Sequence, residues 1–118
     1  MGLFKNLMKK AVGKEIEFKV AGVTFKNGRK TRQAILRAMK WQDPPYDKVE
    51  ITLQRYDFEG SVAIGVYANG EQIGNVPKEM KDEVNAAWTG RYIVEEWEVL
   101  GSGKDQPMGC RVKILFEK

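Results

Sequence analysis

Residues 49–77 read VEITLQRYDFEGSVAIGVYANGEQIGNVP, and the fold is decided by how this stretch is parsed. Val49, Ile51 and Leu53 alternate with Glu50, Thr52 and Gln54, the period-two signature of a strand with one wet face. Val62, Ile64 and Val66 then alternate with Ala63, Gly65 and Tyr67, predicting a second strand with small residues on its reverse side. Asn69-Gly70 follows. Both residues tolerate positive φ, so the pair predicts a tight hairpin into a return strand, Glu71 to Val76, with Ile73 and Val76 inward. Gly65 and Gly74 fall near one another across that hairpin. Strand glycines mark a bend, a bulge or the close approach of another backbone, and curvature is the expected reason here.

Working outward, Glu15 to Val23 predicts a strand with Ile16, Phe18 and Val20 on its buried face, and Asn27-Gly28 predicts a turn. A helix is expected from Arg29 or Thr31 to Trp41. Ile35, Leu36, Ala38 and Met39 gather on one side of it, while Lys30, Gln33, Arg37 and Lys40 gather on the other. Arg32 falls among the apolar positions, so its head group must snorkel or find a partner. Asp43-Pro44-Pro45 ends the helix, because proline disfavours helical geometry before it and removes a donor.

Downstream, Pro77 suits the first position of a second helix whose apolar face is Met80, Val84, Ala87 and Trp88, with Gly90 as its cap. Tyr92 to Leu100 predicts a strand with Ile93, Trp97 and Val99 on one face. Gly101 to Gly109 predicts a loop, and Gly109 to Glu117 a last strand with Cys110, Val112, Ile114 and Phe116 inward. Six strands and two helices describe a mainly β, α+β fold: a small, strongly curved sheet closed as an SH3-like or OB-like barrel.

Residues 1–13 are expected to stand apart from a single domain spanning 14–118. Leu3, Phe4, Leu7, Met8, Ala11 and Val12 occupy one half of a helical wheel; Lys5, Asn6, Lys9 and Lys10 fill the other. Packing on the domain or on a second copy, fraying in solution, and contact with a membrane or protein partner are all open to such an amphipathic segment. Position 6 is Asn, so the myristoylation pattern is not met.

At 118 residues the chain suffices for one well-buried core. No apolar run approaches the roughly 20 residues of a membrane span, and a single cysteine excludes an internal disulfide, so a cytoplasmic location is expected and membrane contact is not. Charge is uneven. Residues 1–40 hold eleven Lys/Arg and two acids, a balance of +9; residues 41–118 hold nine against fourteen, a balance of −5. Such asymmetry suggests a basic face for an anionic partner.

Signs of catalysis are sparse. There is no histidine, the commonest general base near pH 7 and the commonest zinc ligand. Cys110 occupies a core position. Gly101-Ser102-Gly103-Lys104 looks superficially like a phosphate loop, but position 98 is Glu where glycine is needed and position 105 is Asp where Ser or Thr is needed. Glu96 and Glu98 read as surface charge. The expectation is a protein that is not an enzyme and needs no cofactor or metal.

Cations interleave with aromatics instead: Phe25, Lys26, Arg29, Lys30, Arg32, Arg37, Lys40 and Trp41, then Tyr46, and later Arg55 with Tyr56. Lysine and arginine neutralise phosphates, while aromatic faces stack unpaired bases. The competing reading places Phe25 and Trp41 in or beside the core and leaves the cations to water.

Leu53 and Arg55, then Ala63, Ile64, Val66, Gly70, Ile73, Gly74 and Pro77, in that order, resemble the pattern of the HIRAN domain family; Val20-x-Gly22-Val23 resembles its first-strand motif. The resemblance covers about residues 16–116. It implies a six-stranded SH3/OB-like barrel with two helices, of the stand-alone bacterial or phage type. By the same resemblance the ligand is single-stranded DNA or its 3′ end. Phe25 and Tyr56 would stack bases, and Arg55 would meet the terminal nucleotide or its phosphate. Lys26, Arg29, Lys30, Arg32 and Arg37 would meet phosphates, with Asp57 in the same region. The segment Tyr56 to Val62 departs from the family, being two residues shorter and lacking an Asn. The alternative is a protein–protein adaptor or inhibitor, docking or self-associating through a barrel edge or residues 1–13.

Overall fold

The computed structural model describes residues 13–117. The expectations for residues 1–12 therefore lie outside the described residues. In chain order the elements are β1 (Gly13–Lys19), β2 (Lys26–Asn27), β3 (Lys30–Thr31), α1 (Arg32–Trp41), β4 (Ile51–Phe58), β5 (Ser61–Ala68), β6 (Glu71–Asn75), a 3-10 turn (Lys78–Met80), α2 (Lys81–Ala87), β7 (Tyr92–Leu100) and β8 (Gly109–Glu117). The fold is mainly β. All six expected strands form, the first ending at Lys19 rather than Val23, and β2 and β3, two residues each, add a hairpin around the Asn27-Gly28 turn. Gly13 is the first residue of β1 rather than the end of a separate segment.

Pairing gives three antiparallel sheets, ordered β1-β8-β7, β2-β3 and β4-β5-β6. The two larger sheets are joined where Ala21 and Asn75 exchange backbone hydrogen bonds, each 2.8 Å. No pairing among the described residues closes the strands into a ring. The open side lies between β4 and β7, where the Tyr92 hydroxyl accepts from Leu53 N–H at 2.8 Å.

Glycine 74 makes the join possible. A Cβ there would sit 2.2 Å from the Ala21 carbonyl oxygen and 2.4 Å from Val20 Cγ1. Gly65, its neighbour across the β5–β6 hairpin, has a different reason: the Tyr67 ring lies over it, 2.7 Å from where a Cβ would be. Backbone approach and ring packing, rather than curvature alone, account for the pair.

The core runs between the sheets and α1. It includes Ile16, Phe18, Val20, Ile35, Leu36, Met39, Leu53, Val66, Ile73, Val112 and Phe116. Thr31 caps α1, its hydroxyl accepting from Ala34 N–H. Gln33 fastens the helix to two loops: its amide donates to the Val23 and Met108 carbonyls (3.0 and 2.9 Å) and accepts from Met108 N–H at 2.8 Å. Cys110 is fully buried, and burial lifts its thiol to about 11.

Three local expectations are corrected. Val62 is half-exposed, because it lies near the tip of the β4–β5 hairpin beyond the cover of the core. Ile93 is also half-exposed, while Tyr92, Val94, Trp97 and Val99 pack on the core; a bulge between Val94 and Glu96 switches the alternation of β7. Helix α2 ends at Ala87, its last turn closed by Trp88 N–H on the Val84 carbonyl, so Gly90 lies outside it. No described helix is long and apolar enough to cross a membrane.

Candidate functional site

A cleft of about 480 Å³ opens where the 21–25 loop faces the β4–β5 hairpin and the turn after β6. Phe25, Arg32, Tyr56, Phe58, Asn75, Lys78 and Lys81 contribute to its lining.

Its floor is built around an arginine in a helix. Arg32 begins α1 with its apolar neighbours and is only 7 % exposed. Its Nε donates to Asn27 Oδ1 (3.0 Å) and its Nη1 to the Gly22 carbonyl (2.9 Å). Thus the expected partners exist, supplied by the first hairpin and the loop before it. Nη2 has no protein acceptor among the described residues. Burial lowers the Arg32 pKa, an effect opposed by Tyr56 and Tyr67, yet a guanidinium stays charged at neutral pH.

Phe25 stands over this group. Its ring centroid is 5.7 Å from Arg32 Cζ, within cation–π range, and the side chain is 63 % exposed. Two features hold it there. Phe25 N–H donates to the Gly22 carbonyl, and the Phe25 carbonyl accepts from Arg32 N–H. Gly22 itself has φ +71°, and a Cβ on it would reach 3.2 Å from Arg32 Nη1 and 3.3 Å from the Phe25 ring. A side chain at position 22 would crowd the stacked pair.

Across the cleft, Tyr56 is half-buried and donates to Asn75 Oδ1 at 2.5 Å; Gln72 Nε2 donates to the same oxygen at 3.0 Å. Asn27 Nδ2 in turn donates to the Gln72 carbonyl at 2.6 Å, which links the network back to Arg32. The Tyr56 ring is therefore a fixed wall.

Other residues singled out in the sequence are placed less centrally. Lys26, Lys30 and Arg32 line a neighbouring hollow. Lys30 there is held by Glu71 at 2.9 Å, so its charge already has a carboxylate partner. Glu71 also accepts from the Tyr46 hydroxyl, and that bond, with Lys30 beside it, holds the carboxyl below its ordinary range. Burial and the same hydrogen bond push the Tyr46 phenol up. Arg29 is exposed on the turn between β2 and β3.

Arg37, Arg55 and Asp57 do not line the cleft. Strand alternation puts Arg55 and Asp57 on the opposite face of β4 from Tyr56. Arg55 stacks on Trp88, with Cζ 4.0 Å from the ring centroid, and donates to Asn85 Oδ1 (2.7 Å) and the Trp88 carbonyl (2.6 Å). Arg37 lies beside Gly103, on the exposed side of α1.

Sequence reasoning missed Phe58, 58 % exposed at the hairpin tip, and the rim cations Lys78 and Lys81. The signal for Phe58 was present: Glu59-Gly60 turns tightly with φ of 51° and 83°, so an apolar residue beside it projects past the sheet. Lys78 and Lys81 are one helical turn apart after Pro77, which places both on one side of the 3-10 and α2 entry.

Chemically, the arrangement offers aromatic faces, a partly free guanidinium and two lysines around an open hollow, with Glu59 as the acid in its lining. Among the described residues no group of three or more His, Cys, Asp or Glu is placed to hold a metal ion. Compared with family models, with curated proteins and with solved structures, the chain has no match.

Proposed function

We propose that the chain is a non-catalytic module that binds single-stranded nucleic acid, DNA or its 3′ end in the first instance, through the Phe25–Arg32 cleft. One observation carries this reading: a solvent-facing phenylalanine stacked on a structurally fixed guanidinium whose Nη2 is left for a ligand. A base would lie on Phe25, between it and the wall formed by Tyr56 and Phe58. Its phosphate would meet Arg32 Nη2, Lys78 and Lys81, with Lys26 and Arg29 drawing the strand inward. Base–aromatic stacking contributes about 1–3 kcal/mol per base, and phosphate neutralisation adds a salt-dependent share.

The HIRAN-like barrel belongs to the same proposal. In strand order, β7-β8-β1 continues through the Ala21–Asn75 join into β6-β5-β4, and closing β4 on β7 would complete a six-stranded barrel. In that scheme the cleft lies beside the join.

The test is fluorescence anisotropy with single-stranded, 3′-tailed and blunt oligonucleotides at two salt concentrations. Binding of the first two in the micromolar range that weakens with salt is expected. Absence of binding at low salt, with the protein folded, contradicts it.

A second reading, docking of a protein partner, is favoured by the seam between β4 and β7. Val49, Ile51, Tyr92, Val94 and Trp97 line a hollow of about 500 Å³ there, with Glu50 and Glu95. Unpaired strand edges accept extended peptides. Retention of a seam-binding peptide together with no oligonucleotide shift would favour this reading.

A further inference from the structure

The cations of this protein divide into two kinds. On the outer face of β1-β8-β7, Arg111 is paired with Glu17 and Glu98, and Lys113 with Glu15 and Glu96, at 2.6–3.6 Å. Each of these two cations is thus matched by two carboxylates. At the far end of α1 the situation is reversed. Arg37, Lys40 and Lys104 have no carboxylate partner among the described residues.

Trp41 sits among them, and its exposure is anomalous. It is 64 % exposed, in a protein whose other two tryptophans pack against the core. The end of the helix is complete without it: Gln42 takes the left-handed conformation with φ 54°, and Asp43 N–H donates to the Ala38 carbonyl at 2.9 Å. Nothing in the capping turn requires a large apolar side chain at position 41.

Its surroundings are built rather than scattered. Arg37 and Trp41 are four residues apart, hence adjacent on the outward ridge of α1. Lys40 Nζ is fastened to the Gly101 carbonyl and lies 5.8 Å from the centre of the Trp41 ring. Arg37 Nη2 would be 3.8 Å from a Cβ on Gly103, so the guanidinium lies beside the loop that carries Lys104. Asp43 and Asp105 are the acids nearest in sequence, and neither pairs with these cations.

We propose that Trp41, with Arg37, Lys40 and Lys104 around it, is a second stacking platform for a single strand of nucleic acid whose first base occupies the Phe25–Arg32 cleft. The inference rests on the reading of that cleft given above. Position 41 lies nine residues beyond Arg32 along α1, a rise of about 14 Å at 1.5 Å per residue, and half a turn around the helix from it. A strand joining the two must also pass around a helix about 10–12 Å across, so its path is longer than four stacked nucleotides at about 3.4 Å each. One strand of moderate length therefore spans both platforms, with its phosphates crossing the ridge at Arg37. Indole is the largest π-face available, and it stacks on any base, so this end would add affinity without adding sequence preference.

The experiment compares labelled dT4 with dT12 by anisotropy at 50 and 200 mM salt, using the full chain. Wild type is expected to bind dT12 at least tenfold more tightly than dT4. Trp41→Ala and, separately, the double variant Arg37→Gln with Lys104→Gln are expected to erase most of that length difference. The double variant should also flatten the salt dependence for dT12 by about 1.4 in logarithmic slope, two contacts at about 0.7 each. All these residues are exposed, and a thermal melt checks that the variants fold. Equal affinity for the two lengths, or a length difference unchanged in both variants, overturns the inference. If Phe25→Ala removes dT4 binding while Trp41→Ala changes nothing, the second platform fails and the cleft stands. If neither oligonucleotide binds wild type at 50 mM salt, both fall together.

Discussion

Gly74 and Ala21 approach so closely that any side chain on the first would collide with the carbonyl of the second. That carbonyl accepts from Asn75 N–H, and the bridge it makes joins the two larger sheets and stands at the mouth of the cleft. Gly74→Ala is expected to destabilise the fold by about 3 kcal/mol, since both atoms in its way are fixed by the sheets. Gly65→Ala, which meets only the edge of the Tyr67 ring, should cost about 1 kcal/mol. Urea unfolding of the two variants checks the order; equal losses would mean that the join is not a rigid contact.

Gln33 offers a second test of what positions the site. Its side-chain amide ties α1 both to the 22–25 loop and to the entry of β8. Gln33→Leu keeps the bulk and removes three hydrogen bonds, leaving two carbonyls and one N–H without partners. A loss of about 2–3 kcal/mol is expected in denaturant unfolding. Because Val23 precedes the Phe25 turn, amide exchange should also quicken over residues 22–25.

Arg55 separates the family pattern from the geometry. The resemblance assigns it to the terminal nucleotide, whereas the structure lays it on Trp88 beside Asn85. Arg55→Ala is expected to lower stability by about 1 kcal/mol. Its effect on oligonucleotide affinity should be far smaller than that of Phe25→Ala, which anisotropy with dT4 reads directly.

The Lys30–Glu71–Tyr46 cluster makes stability depend on pH in a defined direction. The folded Glu71 carboxyl titrates below its ordinary value of 4.5, so its contribution is complete above that value and fades as pH falls through the folded pKa. Glu71→Gln removes the charge. The gap in melting temperature between wild type and this variant should be constant from pH 7 to pH 5 and should shrink below 4.5. A gap that widens on acidification would contradict the assignment.

Much of the fold was legible because its signals are local. Alternation in β4, β5 and β8, the Asn69-Gly70 turn and the proline stop after α1 each depend on neighbours within a few residues. Ile93 and Val62 were misread for want of non-local information: a bulge at Glu95 and the reach of the core past the hairpin tip. The site was legible in part. Phe25, Arg32 and Tyr56 converge, yet no spacing rule says that the loop at 22–25 faces the β4–β5 hairpin, because the Ala21–Asn75 join is made across 54 positions of chain. Lys78 and Lys81 enter the cleft through the same long-range geometry.

The account stands or falls on whether a nucleic-acid strand touches the Phe25–Arg32 pair. The most direct measurement is an NMR titration of the full chain with dT4, following the Arg32 Nε–Hε and Phe25 ring resonances. Saturable shifts at those two groups are expected, with an affinity of about 10⁻⁶ to 10⁻⁴ M that weakens as salt is raised. Shifts confined to other faces, or resonances of Phe25 and Arg32 that stay still while the oligonucleotide binds, would contradict it.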